Sequence, residues 1–367
     1  MKLYHKWIYV LFCLFVAVLT AYSYTLIDLN LTLFNDDLFL LVRSQLIQLG
    51  YYQRELSSYI FLFLISAGFY FHWYYTKNYK NISLKKILFP LLILGVLSYP
   101  LLTHDFFNYM FDAKILTFYH QNPYLMKALD FPTDPWLRFM HWTHRSYPYG
   151  PSFLPITLIP SFLSFGKFVL GFYLFKATST FFYLLGTWSL SKLNRKWAVF
   201  FATNPLIIFE GLVNGHNDLI AVGLALAGIY LLMSKKGIRS RLLLLLSGGI
   251  KYITLPLLLL SPNKKSIFNK ISFGLIVGLL SYLSITQEVQ PWYFLALLPF
   301  VVYFEDIVVR LNLFFAGLLF SYFPYIRFGG WDMAWKVDLK HQIIIAFLVL
   351  NAIYFLLKLP RKKFFKR

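Results

Sequence analysis

The sequence predicts an all-α integral membrane protein, a polytopic helical bundle of about ten spans with additional re-entrant or broken helices. Of its 367 residues, 59% are hydrophobic and 21% are aromatic, and the mean hydropathy of +0.60 is far above that of soluble globular chains. Apolar runs close to the length needed to cross a bilayer recur along the whole chain. Because only 14% of residues are charged and no long polar block occurs, we expect one polytopic domain over 1–367.

Ten apolar runs are the predicted spans, with approximate bounds 7–26, 57–75, 87–103, 168–190, 197–213, 219–233, 271–286, 294–304, 311–326 and 343–357. Two further apolar pieces, 151–165 and 242–260, are interrupted. The first contains three prolines, and the second contains Gly248, Gly249, Lys251 and Pro256. We expect both to be re-entrant or broken helices, which are tolerated where protein or a wet cavity surrounds them.

The formal net charge of +20 raises the question of nucleic-acid binding. The basic residues lie in short clusters between apolar runs, which is typical of cytoplasmic loops, so we expect a bilayer and no nucleic acid. Ten spans place both termini in the cytoplasm, with 23 of 35 basic residues on that side and 12 of 15 acids on the outer face. If 151–165 crossed the membrane, the Lys192–Lys196 cluster would fall outside.

The single cysteine, Cys13, excludes an intramolecular disulfide and a cysteine-based zinc site. The first apolar run continues past Tyr22 without a small-residue cleavage site, so we expect an uncleaved first span. The compact loops favour a bacterial or archaeal cell membrane.

Long ordered loops are usually functional, and the longest predicted outer loop, 104–150, is rich in aromatic residues, His and Asp.

Three polar residues lie on one predicted helix face at the start of that loop. Asp105, Asn108 and Asp112 are spaced i, i+3 and i+7. A carboxylate at the membrane boundary could take a proton from an attacking hydroxyl, which makes Asp105 and then Asp112 candidate general bases. The alternatives are that Asp105 caps a helix beginning at Phe106 and that Asp112 pairs with Lys114 or a distant arginine.

A compact polar turn, Asn214-Gly-His216-Asn217-Asp218, joins two apolar runs. Asn217 or Asp218 could simply cap the following helix. That explanation accounts for one residue of the turn. His216 could instead bind phosphate, or hold a divalent cation together with Asp218, although no spacing demands a metal.

Lys251 lies within an apolar run, where a lysine is costly and an anionic partner is expected. Alternatively, the Lys251 side chain extends so that its ammonium group reaches the membrane–water interface.

In the turn 145–151, Arg145 could pair with a phosphate and Tyr147 or Tyr149 could stack on a sugar. In the segment 287–293, Glu288 and Gln290 could hold sugar hydroxyls. Trp292 in the same segment suits both a sugar contact and an interfacial aromatic belt.

Five segments in this order, HDFFNYMFDAKI…HQNPY, SYPYGPSFLP, NPLIIFEGLVNGHNDLIAV, SGGIKYITLPLLL and QPWYFLALLP, resemble the GT-C glycosyltransferases. The resemblance covers roughly 87–300 and favours the bacterial and archaeal polyprenyl-phosphate-mannose-dependent mannosyltransferases. It extends more distantly to the mannosyltransferase of GPI-anchor assembly. His104 stands where the family often carries a second acid, and we count it with Asn108 among the substrate contacts.

The resemblance implies a GT-C membrane fold, a polyprenyl-phosphate sugar donor and catalysis on the non-cytoplasmic face by an acid of the first large loop. By position that acid is Asp105, with Asp112 second. The expected reaction moves a hexose, mannose first, to a glycan or glycolipid acceptor with inversion. A transporter or lipid flippase is the alternative, because broken helices and an intramembrane lysine suit that class as well. A structural or assembly protein would leave Lys251 and the 214–218 turn unexplained.

Overall fold

The computed structural model describes residues 2–358, with their side chains from His5 onward, and over that range the protein is a helical bundle. The described residues form no strand, and one isolated bridge joins Lys127 to Ser146. The α-helices are α1 (Lys2–Tyr22), α2 (Asp37–Ile47), α3 (Arg54–Lys77), α4 (Leu84–Leu97), α5 (Asp105–Thr117), α6 (Phe153–Leu163), α7 (Phe168–Leu193), α8 (Arg195–Thr203), α9 (Asn217–Met233), α10 (Gly237–Ile250), α11 (Ile267–Thr286), α12 (Glu305–Val308), α13 (Asn312–Phe320), α14 (Phe323–Phe328) and α15 (Ala334–Lys358).

Six helical segments in the described part are long and apolar enough to cross a membrane: His5–Leu26, Arg54–Lys77, Phe168–Leu193, Ile267–Thr286, Glu305–Phe328 and Ala334–Lys358. A seventh results if α8 and the π-helical turn Ile207–Val213 count as one span, although they are bent by 68° at their junction. The polytopic helical class is confirmed, whereas the count of ten spans is not.

The three other predicted spans are helical but short. Of these, α4 has 14 residues with Pro90 inside it, and the segment Pro291–Val302 is a 3-10 helix of 12 residues. The third, α9, has 17 residues and is buried on nearly all sides. At 1.5 Å per residue α4 is about 21 Å long, less than the roughly 30 Å hydrocarbon core. Apolar run length alone does not distinguish a lipid-facing span from a core helix such as α9.

The two interrupted pieces do not form straight spans, in agreement with the sequence. The first, α6, has 11 residues and packs against α5 and α7, with a tight turn at Phe165 and Gly166, which both have positive φ. The second forms a helical hairpin of α10 and the 3-10 helix Tyr252–Leu259. Arg241 at the base of this hairpin donates hydrogen bonds to the carbonyl oxygens of Leu258 and Leu260, so the chain reverses at Lys251.

Ion pairs and hydrogen bonds join segments that are distant in the sequence. His141 Nε2 lies 3.8 Å from Asp28 Oδ2, and Arg327 Nη2 lies 3.0 Å from Glu55 Oε2. The backbone N–H of Leu102 donates to Asn214 Oδ1 over 3.0 Å. The basic residues 361–367, assigned to the cytoplasm from the sequence, lie outside the described residues.

Candidate active site

The helix α5 begins at Asp105, so Asp105, Asn108 and Asp112 lie on one helix face as the spacing predicts. His104 occupies the N-cap position, and its side chain makes no capping hydrogen bond. The Asp105 carboxylate pairs with Arg145 instead of capping the helix, with Oδ1 3.3 Å from Nη2. The alternative in which Asp105 caps the helix is therefore wrong, because Asp105 is the first residue of α5 and its carboxylate binds Arg145.

Asp112 lies two turns further along α5 and is buried. Burial, together with the neighbouring Asp105, raises the pKa of the Asp112 carboxyl to about 8, although Arg145 acts to lower this pKa. Lys114 forms an ion pair with Asp134, not with Asp112. At neutral pH Asp112 is therefore mostly protonated, so only a minor fraction of this carboxyl group is free to accept a proton.

Loop contacts hold the first turns of α5 in place. Asn108 Nδ2 donates to the carbonyl oxygen of Trp142 over 3.0 Å. The rings of His104 and His141 are stacked with their centroids 3.4 Å apart. Burial, together with the neighbouring His141, lowers the pKa of His104 to about 4, so His104 is neutral at pH 7.

The predicted polar turn lies in the interior of the bundle. Asn214 Nδ2 donates to Glu210 Oε2 over 3.0 Å, and His216 Nε2 lies 3.5 Å from the same carboxylate oxygen. The His216 ring is stacked on Trp292 with centroids 4.0 Å apart. Gly215 has a φ of +73° beside the ring of Phe106, so the turn needs glycine at this position. His216 is therefore enclosed between an acid and an indole.

Lys251 has the anionic partner that its intramembrane position predicts. Its Nζ lies 2.9 Å from Asp218 Oδ2, and the two side chains are 20% and 4% exposed. Lys251 sits at the tip of the α10 hairpin, while α9 begins at Asn217 with Asp218 in its first turn. The ammonium group also lies 5.3 Å from the centroid of the Tyr293 ring.

A glycine contact brings the Arg145–Gly150 turn against this hairpin. A side-chain carbon on Gly150 would lie 2.1 Å from the carbonyl oxygen of Gly249, and one on Gly249 would lie 2.1 Å from Ser152 Oγ. The backbone N–H of Ser152 donates to the same Gly249 carbonyl over 3.0 Å. Two distant motifs can meet this closely only because neither glycine has a side chain.

The two ion pairs form one electrostatic cluster. Burial raises the pKa of Asp105 above its usual range, while Arg145 and Lys251 both lower it. Lys251 thus acts on Asp105 as well as on its direct partner Asp218. The ring of Tyr149 packs edge-to-face on Tyr109 beside the cluster, with centroids 4.8 Å apart. Two carboxylates, two cations and aromatic rings therefore converge from four sequence motifs.

Of the remaining predicted substrate contacts, some lie close to this electrostatic cluster and others lie farther away. Trp292 approaches the cluster through His216, and Asn217 is buried at the start of α9. Glu288 instead pairs with Lys340 of α15, with Oε1 2.5 Å from Nζ. Gln290 precedes the 3-10 helix Pro291–Val302 and makes no capping hydrogen bond. The roles of Glu288 and Gln290 toward sugar hydroxyls stay predictions.

Sequence reasoning missed three buried charged residues that support the site. Glu210 contacts Asn214 and His216, and Lys340 pairs with Glu288. Lys176 is fully buried and donates to the carbonyl oxygens of Leu212 and Val213, which immediately precede the polar turn. Lys176 and Glu210 interrupt apolar runs, and that is the signal that could have identified them. Lys340 lies in a polar stretch before the last predicted span, where the sequence carries no such signal.

No group of three or more His, Cys, Asp or Glu side chains within residues 2–358 is placed to hold a metal ion. The pairing of His216 with Asp218 at a cation is not seen, because His216 faces Glu210 and Asp218 faces Lys251.

Comparison with known families gives one match, which covers slightly less than half of the chain. Residues 85–261 match the model described as the alpha-(1→6)-mannopyranosyltransferase N-terminal domain of the MptA_B family. No curated protein gives a significant match. No solved structure does so either. The predicted resemblance is thereby confirmed over 85–261, and this stretch, which contains Asp105, Arg145, Asp218 and Lys251, is similar to the N-terminal domain of that mannosyltransferase family.

Proposed function

We propose that the protein transfers mannose from a polyprenyl-phosphate donor to a glycan or glycolipid acceptor, with Asp105 as general base and with inversion at the anomeric carbon. The observation that carries this proposal is the convergence of Asp105–Arg145 with Asp218–Lys251. All four residues belong to the stretch that matches the mannosyltransferase domain. The four residues therefore bring a proton acceptor close to cations that suit a phosphate.

Asp105 is preferred to Asp112 as the base because two cations, Arg145 and Lys251, favour its ionised form, whereas Arg145 alone does so for Asp112. Arg145 and Lys251 both oppose the effect of burial on the pKa of Asp105. In the proposed step, Asp105 takes the proton of the acceptor hydroxyl as the hydroxyl oxygen attacks the anomeric carbon. The bond from that carbon to the phosphate oxygen breaks, and its electron pair leaves with the polyprenyl phosphate. The leaving group needs no proton donor because it is already an anion.

Lys251 and Arg145 are placed to stabilise the phosphate as charge develops on its oxygen. Both side chains remain partly exposed, Lys251 at 20% and Arg145 at 38%, so a ligand can reach them. His216 is fully enclosed between Glu210 and Trp292. We therefore assign His216 to positioning Trp292, whose indole provides a flat surface for a sugar ring.

Charge distribution supports a site on the non-cytoplasmic face. Twelve of the fifteen acids lie in segments assigned to that face, and the basic clusters lie mainly in the opposite loops. Such a site is accessible to a lipid-linked donor that enters sideways from the bilayer. The lipid bilayer, the polyprenyl-phosphate sugar and the acceptor are thus the proposed partners. A divalent cation is not required by the proposed step.

The decisive experiment is transfer from radiolabelled polyprenyl-phosphate mannose to extracted acceptors in proteoliposomes. Wild type is compared with Asp105→Asn and with Asp37→Asn, a control in which an exposed acid at the start of α2 is changed. We expect Asp105→Asn to lose about 100-fold or more in rate while it still binds donor, since a general base contributes roughly 10²–10⁴. Full transfer by Asp105→Asn and Asp105→Ala would refute the assignment of the base.

A transporter or flippase is the second candidate, and the helical hairpin with Lys251 at its tip favours it. The two functions respond differently to loss of the carboxylate. A transferase variant keeps donor binding and loses turnover, whereas a transporter variant loses binding or coupled movement of lipid. A lipid-scrambling measurement on the same proteoliposomes separates them.

A further inference from the structure

A long apolar groove lies outside the stretch that matches the mannosyltransferase domain. It has a volume of about 610 Å³ and runs between α11 and α15, with the segment 289–314 as its floor. Its lining on α11 extends from Phe273 to Ile285, which corresponds to about 18 Å at 1.5 Å per residue. This length is more than half of the roughly 30 Å hydrocarbon core.

The groove faces the surroundings of the bundle. Its two walls, α11 and α15, are the least buried of the candidate spans. Within the most apolar 18 residues of each helix, 22% of α11 and 17% of α15 is buried in the protein. The lining is almost entirely aliphatic and aromatic, and its polar members are Ser281, Ser284 and His341. An exposed apolar groove along membrane-spanning helices suits a hydrocarbon chain that arrives from the bilayer.

One end of the groove adjoins the candidate active site. Val289 and His341 line that end, and their chain neighbours Glu288 and Lys340 form an ion pair there. Three residues after Val289, Trp292 stacks on His216. Glu210, beside His216, interacts electrostatically with both Lys340 and Asp218. A chain lying in the groove would therefore lead toward the Asp218–Lys251 pair.

We propose that this groove holds the isoprenoid chain of the lipid-linked donor. The proposal rests on the proposed function and adds where the lipid binds: between α11 and α15, outside 85–261. The continuity with the Glu288–Trp292 segment selects this occupant, since a second copy of the chain or bulk lipid has no need of a groove that ends at a sugar-transfer site.

Two matched pairs of substitutions test the groove. Leu348 lines it and Leu350 does not, and both are 50% exposed on α15. Val277 lines it and Leu279 does not, and both are 39% exposed on α11. Tryptophan at a lining position fills the groove, whereas tryptophan at its partner position faces the surroundings. All four positions are exposed, so the variants are expected to fold.

Each variant is assayed with a long polyprenyl-phosphate mannose and with a ten-carbon prenyl-phosphate mannose. Binding of a fluorescent long-chain polyprenyl phosphate is measured by polarisation. We expect Leu348→Trp and Val277→Trp to raise KM for the long donor, and Kd for the fluorescent lipid, about tenfold or more, because contacts of several methylene groups are lost. Leu350→Trp and Leu279→Trp should match wild type, and the short donor should not distinguish lining from control variants.

Equal behaviour of lining and control variants toward the long donor and the fluorescent lipid would overturn the proposal. So would a change of oligomeric state in Leu348→Trp with unchanged lipid binding, because a second copy would then cover the groove. If wild type transfers from neither donor, the proposed function fails. The fluorescent lipid still tests the groove in that case, since its binding needs no turnover.

Discussion

Arg145 Nη2 lies 3.3 Å from Asp105 Oδ1, although the two residues are 40 positions apart in the chain. The guanidinium lowers the pKa of a carboxyl that burial raises. It also binds the Asp105 carboxylate, which therefore does not cap the helix. The pair therefore decides both where the proposed base points and how much of it is ionised.

Removal of the Arg145 guanidinium should shift the acidic side of the pH profile of the transfer rate. In Arg145→Gln the pKa of Asp105 loses an interaction that lowers it, so this pKa rises and the active carboxylate forms only at higher pH. We expect the loss of rate to be larger at low pH than at high pH, as measured by kcat/KM against pH. Arg138→Gln, at an exposed arginine of the same loop, is the control. Parallel profiles for both variants would contradict the role of Arg145.

Removing both charges of the Lys251–Asp218 pair should restore the stability that is lost when Lys251 alone is removed, but it should not restore activity. Lys251→Met leaves the nearly buried Asp218 carboxylate without its partner, which we expect to cost about 3 kcal/mol of unfolding free energy. Lys251→Met combined with Asp218→Asn should recover most of that loss, because no unpaired charge remains. Thermal unfolding in detergent measures this recovery.

The same double variant should stay inactive, since the cation proposed to contact the phosphate is absent. Recovery of transfer together with stability would show that Lys251 serves the fold and not the donor phosphate.

Asp112 should make the protein less stable as pH rises. Its folded pKa of about 8 lies above the unfolded value of about 3.9, so between these values the folded state binds more protons than the unfolded state. Stability therefore decreases with rising pH from about 4 to about 8. Asp112→Asn removes this titration, and we expect its unfolding temperature to vary less than that of wild type between pH 5 and pH 8. An unchanged slope would place the titrating group elsewhere.

Gly150→Ala should disrupt the site through the backbone. The new methyl group would lie 2.1 Å from the Gly249 carbonyl oxygen, which cannot move without displacing the hairpin tip at Lys251. We expect a lower unfolding temperature together with a loss of transfer. Gly278→Ala is the matched control, because a side-chain carbon there meets no atom within 4 Å and alanine favours the helix by about 0.5–1 kcal/mol. Equal effects of both substitutions would argue against the close contact.

Local patterns in the sequence determined the class of the protein and part of the site. Recurrent apolar runs predict a helical membrane protein, because each run must satisfy its backbone hydrogen bonds within itself in a bilayer. The i, i+3, i+7 spacing predicts the shared face of Asp105, Asn108 and Asp112, since helix periodicity is a property of neighbouring residues. The polarity of Lys251 inside an apolar run likewise predicts an anionic partner.

The tertiary structure decided which distant residues meet. The hairpin of α10 brings Lys251 to Asp218, and the loop that carries Arg145 to Asp105 ends at the close contact of Gly150 with Gly249. The structure also shows α9 to be a buried core helix, which an apolar run of its length cannot reveal. Periodicity and hydropathy record interactions along one segment, whereas the site is assembled by packing between segments whose separation in sequence carries no information on their distance in space.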